Sequence, residues 1–105
     1  MLFDEYQAFC RTTAVYPAEH ALDYLIHGLT SEAGEVAGKR KKHLRGDAPD
    51  DAKEQIVAEI GDVLWYVAEI ASVLGFSLEE VATLNAVKLR NRQAAGTLKG
   101  DGDKR

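Results

Sequence analysis

Residues 59–74 read EIGDVLWYVAEIASVL, and this stretch decides the fold of the chain. Its apolar residues recur at helical spacing, which predicts a long helix and leaves no strand-like alternation. From residue 63 to residue 74 the sequence is apolar on nearly every face. A helix that is apolar all round is usually buried all round, and three other helices of one small chain can hardly enclose it. We therefore expect part of its surface to contact another copy of the chain.

Helical signals recur four times along the 105-residue chain, and strand signals are nearly absent. Apolar spacing and stop signals predict helices at about 3–14, 19–44, 52–74 and 78–95. Asp51 with Glu54 and Ser77 with Glu80 have the spacing of capping boxes at the starts of the third and fourth helices. Short connections between long helices favour antiparallel neighbours. The predicted fold class is all-α, a four-helix bundle that homo-oligomerisation completes.

The bulk composition limits the kinds of protein that this chain can be. A length of 105 residues with 46% hydrophobic residues predicts one helical domain, residues 1–95, followed by a glycine-rich charged tail at 96–105. The formal charge of −4 argues against a nucleic-acid-binding protein. A single cysteine excludes an internal disulfide, and charged residues interrupt the longest apolar region. We expect a cytoplasmic protein with no nucleic-acid partner and no membrane span.

Two pairs of acidic residues lie inside otherwise apolar helices. The motifs EAGE and EIGD place Glu32 and Glu35 on one side of the second helix, and Glu59 and Asp62 on one side of the third. Small residues beside each pair would let the two helices approach closely. Converging carboxylates repel one another by about 4 kcal/mol per pair at ~4 Å and an effective dielectric near 20, unless cations neutralise them. All-oxygen ligands suit hard ions, so the pattern predicts a magnesium site, with manganese as the substitute.

These acids have other interpretations besides a metal site. Any one of them, taken alone, is more often a residue that solvates an outer helix face. The set argues otherwise, because Glu59 and Asp62 lie between apolar residues and border the core. A di-iron bundle would need Glu-x-x-His on two helices, and the chain has none.

Polar residues extend the acidic stripe on the second helix and line one face of the fourth. Lys39 and Lys42 follow the acids on the second helix, and Asn85, Lys88 and Arg92 share a face of the fourth. The basic run that contains both lysines has two interpretations. It is either a solvated helix end that the macrodipole favours or an attractor for phosphate.

The two acidic motifs occur in a recognisable order. EAGE at 32–35, followed after twenty-three intervening residues by EIGD at 59–62, resembles the ExxE…ExxD signature of the MazG-like all-α nucleoside triphosphate pyrophosphohydrolases, in their short, phage-type single-domain form. The resemblance runs from about residue 16 to the tail and includes the lysine pair at 41–42. Either motif alone is weak. Both in order, with the polar face of the fourth helix behind them, are fairly specific.

The resemblance implies a reaction and a set of metal ligands. The reaction would be hydrolysis between the α- and β-phosphates of a nucleoside triphosphate, giving the monophosphate and pyrophosphate. Glu35, Glu59 and Asp62 would coordinate magnesium, and Glu32 would bind a second ion or act as the catalytic residue that orients the attacking water. Obligate dimers or tetramers are also implied, in agreement with the over-apolar third helix.

The resemblance also implies how the phosphates would be held. Lys88 and Arg92, with Lys39 or Lys42, would stabilise charge on the transferring phosphates as catalytic and substrate-binding residues. Asn85 would hydrogen-bond a phosphate or a sugar.

Two rival functions stay open at this point. One is a non-catalytic helical interaction or nucleotide-sensing module on the same scaffold, and the other is a pyrophosphatase that acts on a different phosphoanhydride. All four acids are intact, which favours the enzyme, because a binding module could lose one without penalty. Tyr16, Trp65 and Tyr66 are candidates for stacking on a base.

Overall fold

A computed structural model describes residues 1–104 of the chain, and this part is helical without any strand. The helices are α1 (Phe3–Thr12), α2 (Ala21–Arg45), α3 (Ala52–Leu74) and α4 (Leu78–Ala95). The prediction of an all-α chain with four helices is confirmed. A short 3-10 turn, Ala18–His20, precedes α2 where the predicted second helix began, and α1 ends at Thr12 rather than at residue 14.

One of the two predicted capping boxes is confirmed, and the other is wrong. The Ser77 hydroxyl accepts a hydrogen bond from the Glu80 N–H at 3.0 Å, and the Ser77 N–H donates to Glu80 Oε1 at 2.9 Å. Asp51 instead has φ −93° and ψ 26°, outside the extended conformation that an N-capping side chain needs. Its carboxylate accepts from Gln55 Nε2 at 3.0 Å, one turn further along α3.

Helices α2 and α3 form a long hairpin that makes up most of the packing between elements. The Tyr66 ring of α3 lies directly over Gly28 of α2. A Cβ atom at Gly28 would overlap that ring, so the absence of a side chain there sets the approach of the two helices. Both helices end at a glycine in the left-handed region, Gly46 with φ +87° and Gly75 with φ +83°.

Helix α1 and the first turn of α4 cover the C-terminal half of α3. The small core there consists of Cys10, Ala68, Ala71 and Leu78. The Gln7 side chain connects the three elements: its amide nitrogen donates to Ser72 Oγ and to the Phe76 carbonyl, both at 2.9 Å. Its amide oxygen accepts from the Leu78 N–H, also at 2.9 Å.

Within the described residues, α4 packs against α1 and α3 and does not contact α2. The chain is accordingly extended, with a radius of gyration of 16.6 Å against about 13 Å for a compact domain of this length. It exposes 7600 Å², whereas a folded monomer of 11.5 kDa exposes about 5,800 Å². Large apolar side chains contribute to this surface, including Val57 at 65%, Ile60 at 52% and Leu84 at 62% exposure. A single chain therefore leaves apolar parts of α3 and α4 uncovered.

Among the described residues, no helix combines the length and the apolar character that a bilayer-spanning segment requires.

Candidate metal centre

Three carboxylates converge across the α2–α3 hairpin. Glu32 of α2 and Glu59 and Asp62 of α3 each offer an oxygen, and these oxygens lie within 4.8 Å of one another. The three-residue spacing on α3 puts Glu59 and Asp62 on one side of that helix, and the antiparallel packing places Glu32 opposite them. Glu32 and Glu59 are partly buried, and Asp62 is exposed.

The electrostatics of this group favour a cation. Burial, followed by the negative charges of Asp62, Glu59 and Glu35, raises the pKa of the Glu32 carboxyl above its usual range, and a hydrogen bond with Glu59 acts in the same direction. Lys39 is the nearby counter-charge, with Nζ 3.9 Å from Glu59 Oε1. One ammonium group does not neutralise three carboxylates.

The donor set fits a hard divalent ion. It consists of carboxylate oxygens alone, without the nitrogen or sulfur ligands that select zinc or copper. Magnesium is commonly held by one or two carboxylates together with waters and substrate phosphates, so three carboxylates on an accessible surface are sufficient. Glu35, the fourth predicted acid, lies outside the group of three and is exposed. Its charge nevertheless contributes to the raised pKa of Glu32.

A cavity of about 470 Å³ opens beside the carboxylates. Its wall consists of Phe9, Thr13, Glu32, Asp62, Trp65 and Tyr66. Trp65 and Tyr66 meet edge to face, with ring centroids 4.9 Å apart and an interplanar angle of 82°. The Trp65 indole N–H donates to Thr13 Oγ1 at 2.7 Å, which fixes the indole ring against α1. The cavity thus joins an aromatic wall to two of the three carboxylates.

A buried acid two turns beyond Asp62 was not identified as important in the sequence. Glu69 is fully buried, and its Oε1 accepts hydrogen bonds from Arg11 Nη1 at 2.9 Å and from the Tyr16 hydroxyl at 2.7 Å. Burial and the Glu69 carboxylate raise the pKa of Tyr16. Tyr16 in turn packs edge-on to Trp65, at a centroid distance of 6.4 Å. The sequence feature that could have identified Glu69 is a charged residue, seven positions after Asp62, in an otherwise apolar segment.

The predicted phosphate-binding residues lie in two separate places. Lys39 and Lys42 line a cavity of about 410 Å³ near the end of α2, and Lys39 also reaches the acid group. Asn85 and Lys88 line a different cavity, of about 420 Å³, on α4. Arg92 is also on α4, which does not contact α2 within the described residues. In a single chain, the α4 cations therefore stand apart from Glu32.

The cations of α4 contact the tail instead. Lys88 Nζ lies 3.1 Å from Asp103 Oδ1, and Arg92 Nη2 lies 3.3 Å from the same oxygen. Arg92 is itself 6% exposed, so it is a buried cation whose partner comes from the last residues of the chain. Nothing in the sequence of the tail predicts this contact. The final residue, Arg105, lies outside the described residues.

Residues 21–96 match the family model described as the MazG nucleotide pyrophosphohydrolase domain. This match spans well over half of the chain, and it contains both acidic motifs and the polar face of α4. The chain therefore belongs to the MazG family, and the resemblance drawn from the sequence is confirmed.

Relatives of the chain include proteins from a phage and from a bacterium. It is 40% identical to the "Gene 37 protein" of Mycobacterium phage L5, over an alignment that covers 100% of both chains. It is 35% identical to the "Uncharacterized protein YvdC" of Bacillus subtilis (strain 168) over 72 residues, which are 61% of this chain and 68% of that protein. No solved structure matches the chain at a significant level.

Proposed function

We propose that the protein is a magnesium-dependent nucleoside triphosphate pyrophosphohydrolase that cleaves between the α- and β-phosphates and releases a monophosphate and pyrophosphate. The observation that supports this most strongly is the convergence of Glu32, Glu59 and Asp62 to within 4.8 Å in a chain of the MazG family. A group of three carboxylates with one ammonium partner suits a metal–triphosphate complex better than a free anion.

The residues of the site divide the work. Glu59 and Asp62, one turn apart on α3, would hold the metal together with Glu32 from α2, and Glu35 lies outside this group of three. When bound there, magnesium would neutralise phosphate oxygens and lower the pKa of a coordinated water. Glu32 borders the cavity and orients the attacking water. The Lys39 Nζ lies 3.9 Å from Glu59 Oε1. When substrate binds, this ammonium group would pair with a phosphate instead of with Glu59.

The aromatic cavity takes the nucleoside. Its volume of about 470 Å³ lies within the usual range of small-molecule sites, and it adjoins the carboxylates through Glu32 and Asp62. The Trp65 indole N–H is already engaged by Thr13, so Trp65 offers its ring surface rather than a hydrogen bond to a base. Stacking on a ring face is available to every base.

Oligomerisation completes the site in this proposal. The exposed apolar residues of α3 and α4 give a surface that a second copy can cover, in a dimer or a tetramer. Lys88 and Arg92 lie on α4, away from α2 in the single chain. Assembly would bring α4 cations to the acid group, where they stabilise charge on the phosphates.

The decisive experiment is a panel of ribo- and deoxyribonucleoside triphosphates incubated with magnesium or manganese, with products resolved as phosphate or pyrophosphate. We expect pyrophosphate and a monophosphate, and no reaction with chelator. Glu59→Gln should abolish turnover, while Glu54→Gln, an exposed change on the same helix, should leave it unaltered. Release of single phosphate from the γ position would contradict the proposal. Tight nucleotide binding without any turnover would instead identify a nucleotide-sensing module.

A further inference from the structure

The contact between the tail and α4 has features of a ligand occupying a binding site. We propose that Asp103 is an internal substitute for phosphate, held in an anion site of Lys88 and Arg92 and displaced when a phosphate or pyrophosphate group enters. The inference rests on the proposed function for the identity of the displacing anion. Its geometry stands independently.

One carboxylate oxygen receives both cations. Asp103 Oδ1 accepts from Lys88 Nζ at 3.1 Å and from Arg92 Nη2 at 3.3 Å. The Gly102 carbonyl also accepts from Arg92 Nη2, at 3.3 Å. These bonds to Lys88 first, and then to Arg92, hold the pKa of the Asp103 carboxyl below its usual range, so the tail presents a full negative charge.

The Arg92 side chain has a hydrogen-bond donor that the tail does not use. The Arg92 side chain is only 7% exposed, and its Nε is buried without a hydrogen-bond partner among residues 1–104. Nε and Nη2 form one edge of the guanidinium group, the edge that binds a carboxylate or phosphate through two parallel hydrogen bonds. The tail accepts hydrogen bonds from Nη2 and leaves Nε without an acceptor among residues 1–104. A phosphate, with three oxygens, can engage Nε, Nη2 and Lys88 Nζ together.

The tail contact is also weak enough to exchange. The Asp103 side chain is 83% exposed, and exposed ion pairs contribute little because water and salt screen them. Two glycines precede it: Gly100 by three residues, and Gly102 directly, with φ +79°, a conformation that other residues rarely take. Residues 100–103 lie outside the four helices, so their release from α4 would leave each of those helices in place. An incoming phosphate would replace the Asp103 carboxylate, which engages Lys88 and Arg92 through one oxygen and leaves Arg92 Nε without an acceptor.

The test measures binding of inorganic pyrophosphate by titration calorimetry in the presence of chelator, where the unneutralised carboxylates of α2 and α3 repel the anion. Any binding at Lys39 and Lys42 is common to all the variants, so a difference between them reports the Lys88–Arg92 site. Asp103→Asn removes the competing charge, and Asp101→Asn is the matched control, because it makes the same change in net charge two residues away. We expect Asp103→Asn to bind pyrophosphate about threefold more tightly than the wild type, in keeping with the weakness of exposed ion pairs. Asp101→Asn should match the wild type. Equal affinity in all three proteins, weaker binding by Asp103→Asn, or no binding by any of them would overturn the inference.

A second measurement observes the tail directly. In amide NMR spectra of the full-length wild-type protein, pyrophosphate should shift and sharpen the resonances of Gly102, Asp103 and Lys104 as the tail leaves α4. Binding that leaves these resonances unmoved would refute displacement. Neither experiment requires turnover, so failure of the nucleotide panel would count against the proposed reaction and not against the exchange of anions.

Discussion

The Tyr16 hydroxyl donates a 2.7 Å hydrogen bond to Glu69, a carboxylate with no exposed surface. The same oxygen accepts from Arg11, while the second carboxylate oxygen has no hydrogen-bond partner among the described residues. A buried carboxylate is costly unless it is paired, so Glu69 and its two donors form one interdependent unit. This unit orients Tyr16 against Trp65, in the wall of the aromatic cavity.

Removal of the Glu69 side chain should therefore destabilise the folded chain. Glu69→Ala eliminates both hydrogen bonds, one of them to a charged donor, and leaves a cavity, and we expect a loss of about 2 kcal/mol in the free energy of unfolding. Urea denaturation measures it. Glu54→Ala, an exposed acid on the same helix, should change stability very little. Equal losses in the two variants would show that the buried unit does not stabilise the fold.

Close packing at Gly28 predicts opposite effects for two glycine substitutions on α2. Gly28→Ala places a methyl group in the Tyr66 ring and should destabilise by about 1–3 kcal/mol through overpacking. Gly34→Ala meets no atom within 4 Å and should stabilise by up to about 1 kcal/mol, because alanine is the better helix former. Thermal or urea unfolding measures both changes. A stabilising Gly28→Ala would mean that Tyr66 does not lie against α2.

Repulsion among the carboxylates predicts that one of them can be neutralised without loss of stability. In chelator, Asp62→Asn should be at least as stable as the wild type, by up to about 1 kcal/mol given screening of an exposed charge. Magnesium at a hundredfold excess over its dissociation constant should stabilise the wild type by about 2.7 kcal/mol and the variant much less. Thermal melts of both proteins under both conditions provide the comparison. A variant that melts well below the wild type in chelator would make Asp62 a structural residue.

Exposed apolar residues on α4 predict where assembly can be disrupted. Leu84 is 62% exposed in the single chain, so Leu84→Glu should leave the fold of one chain intact while placing a charge in the proposed interface between copies. Light scattering should show a shift towards monomer. Val15→Glu is the control, because Val15 is 89% exposed in the segment between α1 and the 3-10 turn. A wild type that is monomeric at micromolar concentration would contradict the expected oligomer.

Tyrosine ionisation predicts a loss of stability in alkaline solution. Burial, followed by the hydrogen bond to Cys10, raises the pKa of Tyr6 to about 12 from 10.0. The folded chain then holds a proton that the unfolded chain releases, so the free energy of unfolding should fall as pH rises from 10 to about 12. Tyr6→Phe should reduce that slope by up to one proton. Denaturant unfolding across this range tests it, and an unchanged slope in Tyr6→Phe would refute the assignment.

The helices could be predicted because their signals are local. Apolar spacing and terminal glycines lie within a few residues of the ends that they define, and α3 begins and ends where the sequence indicated. The predicted capping box at Asp51 is wrong because a side chain caps a helix only when the backbone of the capping residue is extended. That conformation is set by the loop at 46–51 rather than by the capping pattern.

The site was predictable only in part, for a different physical reason. Periodicity places Glu32, Glu59 and Asp62 on helix faces, and a tight hairpin between two consecutive helices then brings those faces together. The position of α4 depends instead on its contacts with α1 and α3, so no local pattern predicts that Arg92 stands apart from the acids. The partners of Glu69 and of Arg92 are 58 and 11 residues away in sequence, and no local pattern identifies such pairs.

The side-chain amide of Gln7 links two distant parts of the molecule. Its three hydrogen bonds link α1 to the end of α3 and to the first turn of α4. Any swing of α4 at that end must either break these bonds or carry α1 with it. Because α1 also bears Phe9 and Thr13 of the cavity wall, a displacement of α4 at that end would displace the wall of the aromatic cavity as well.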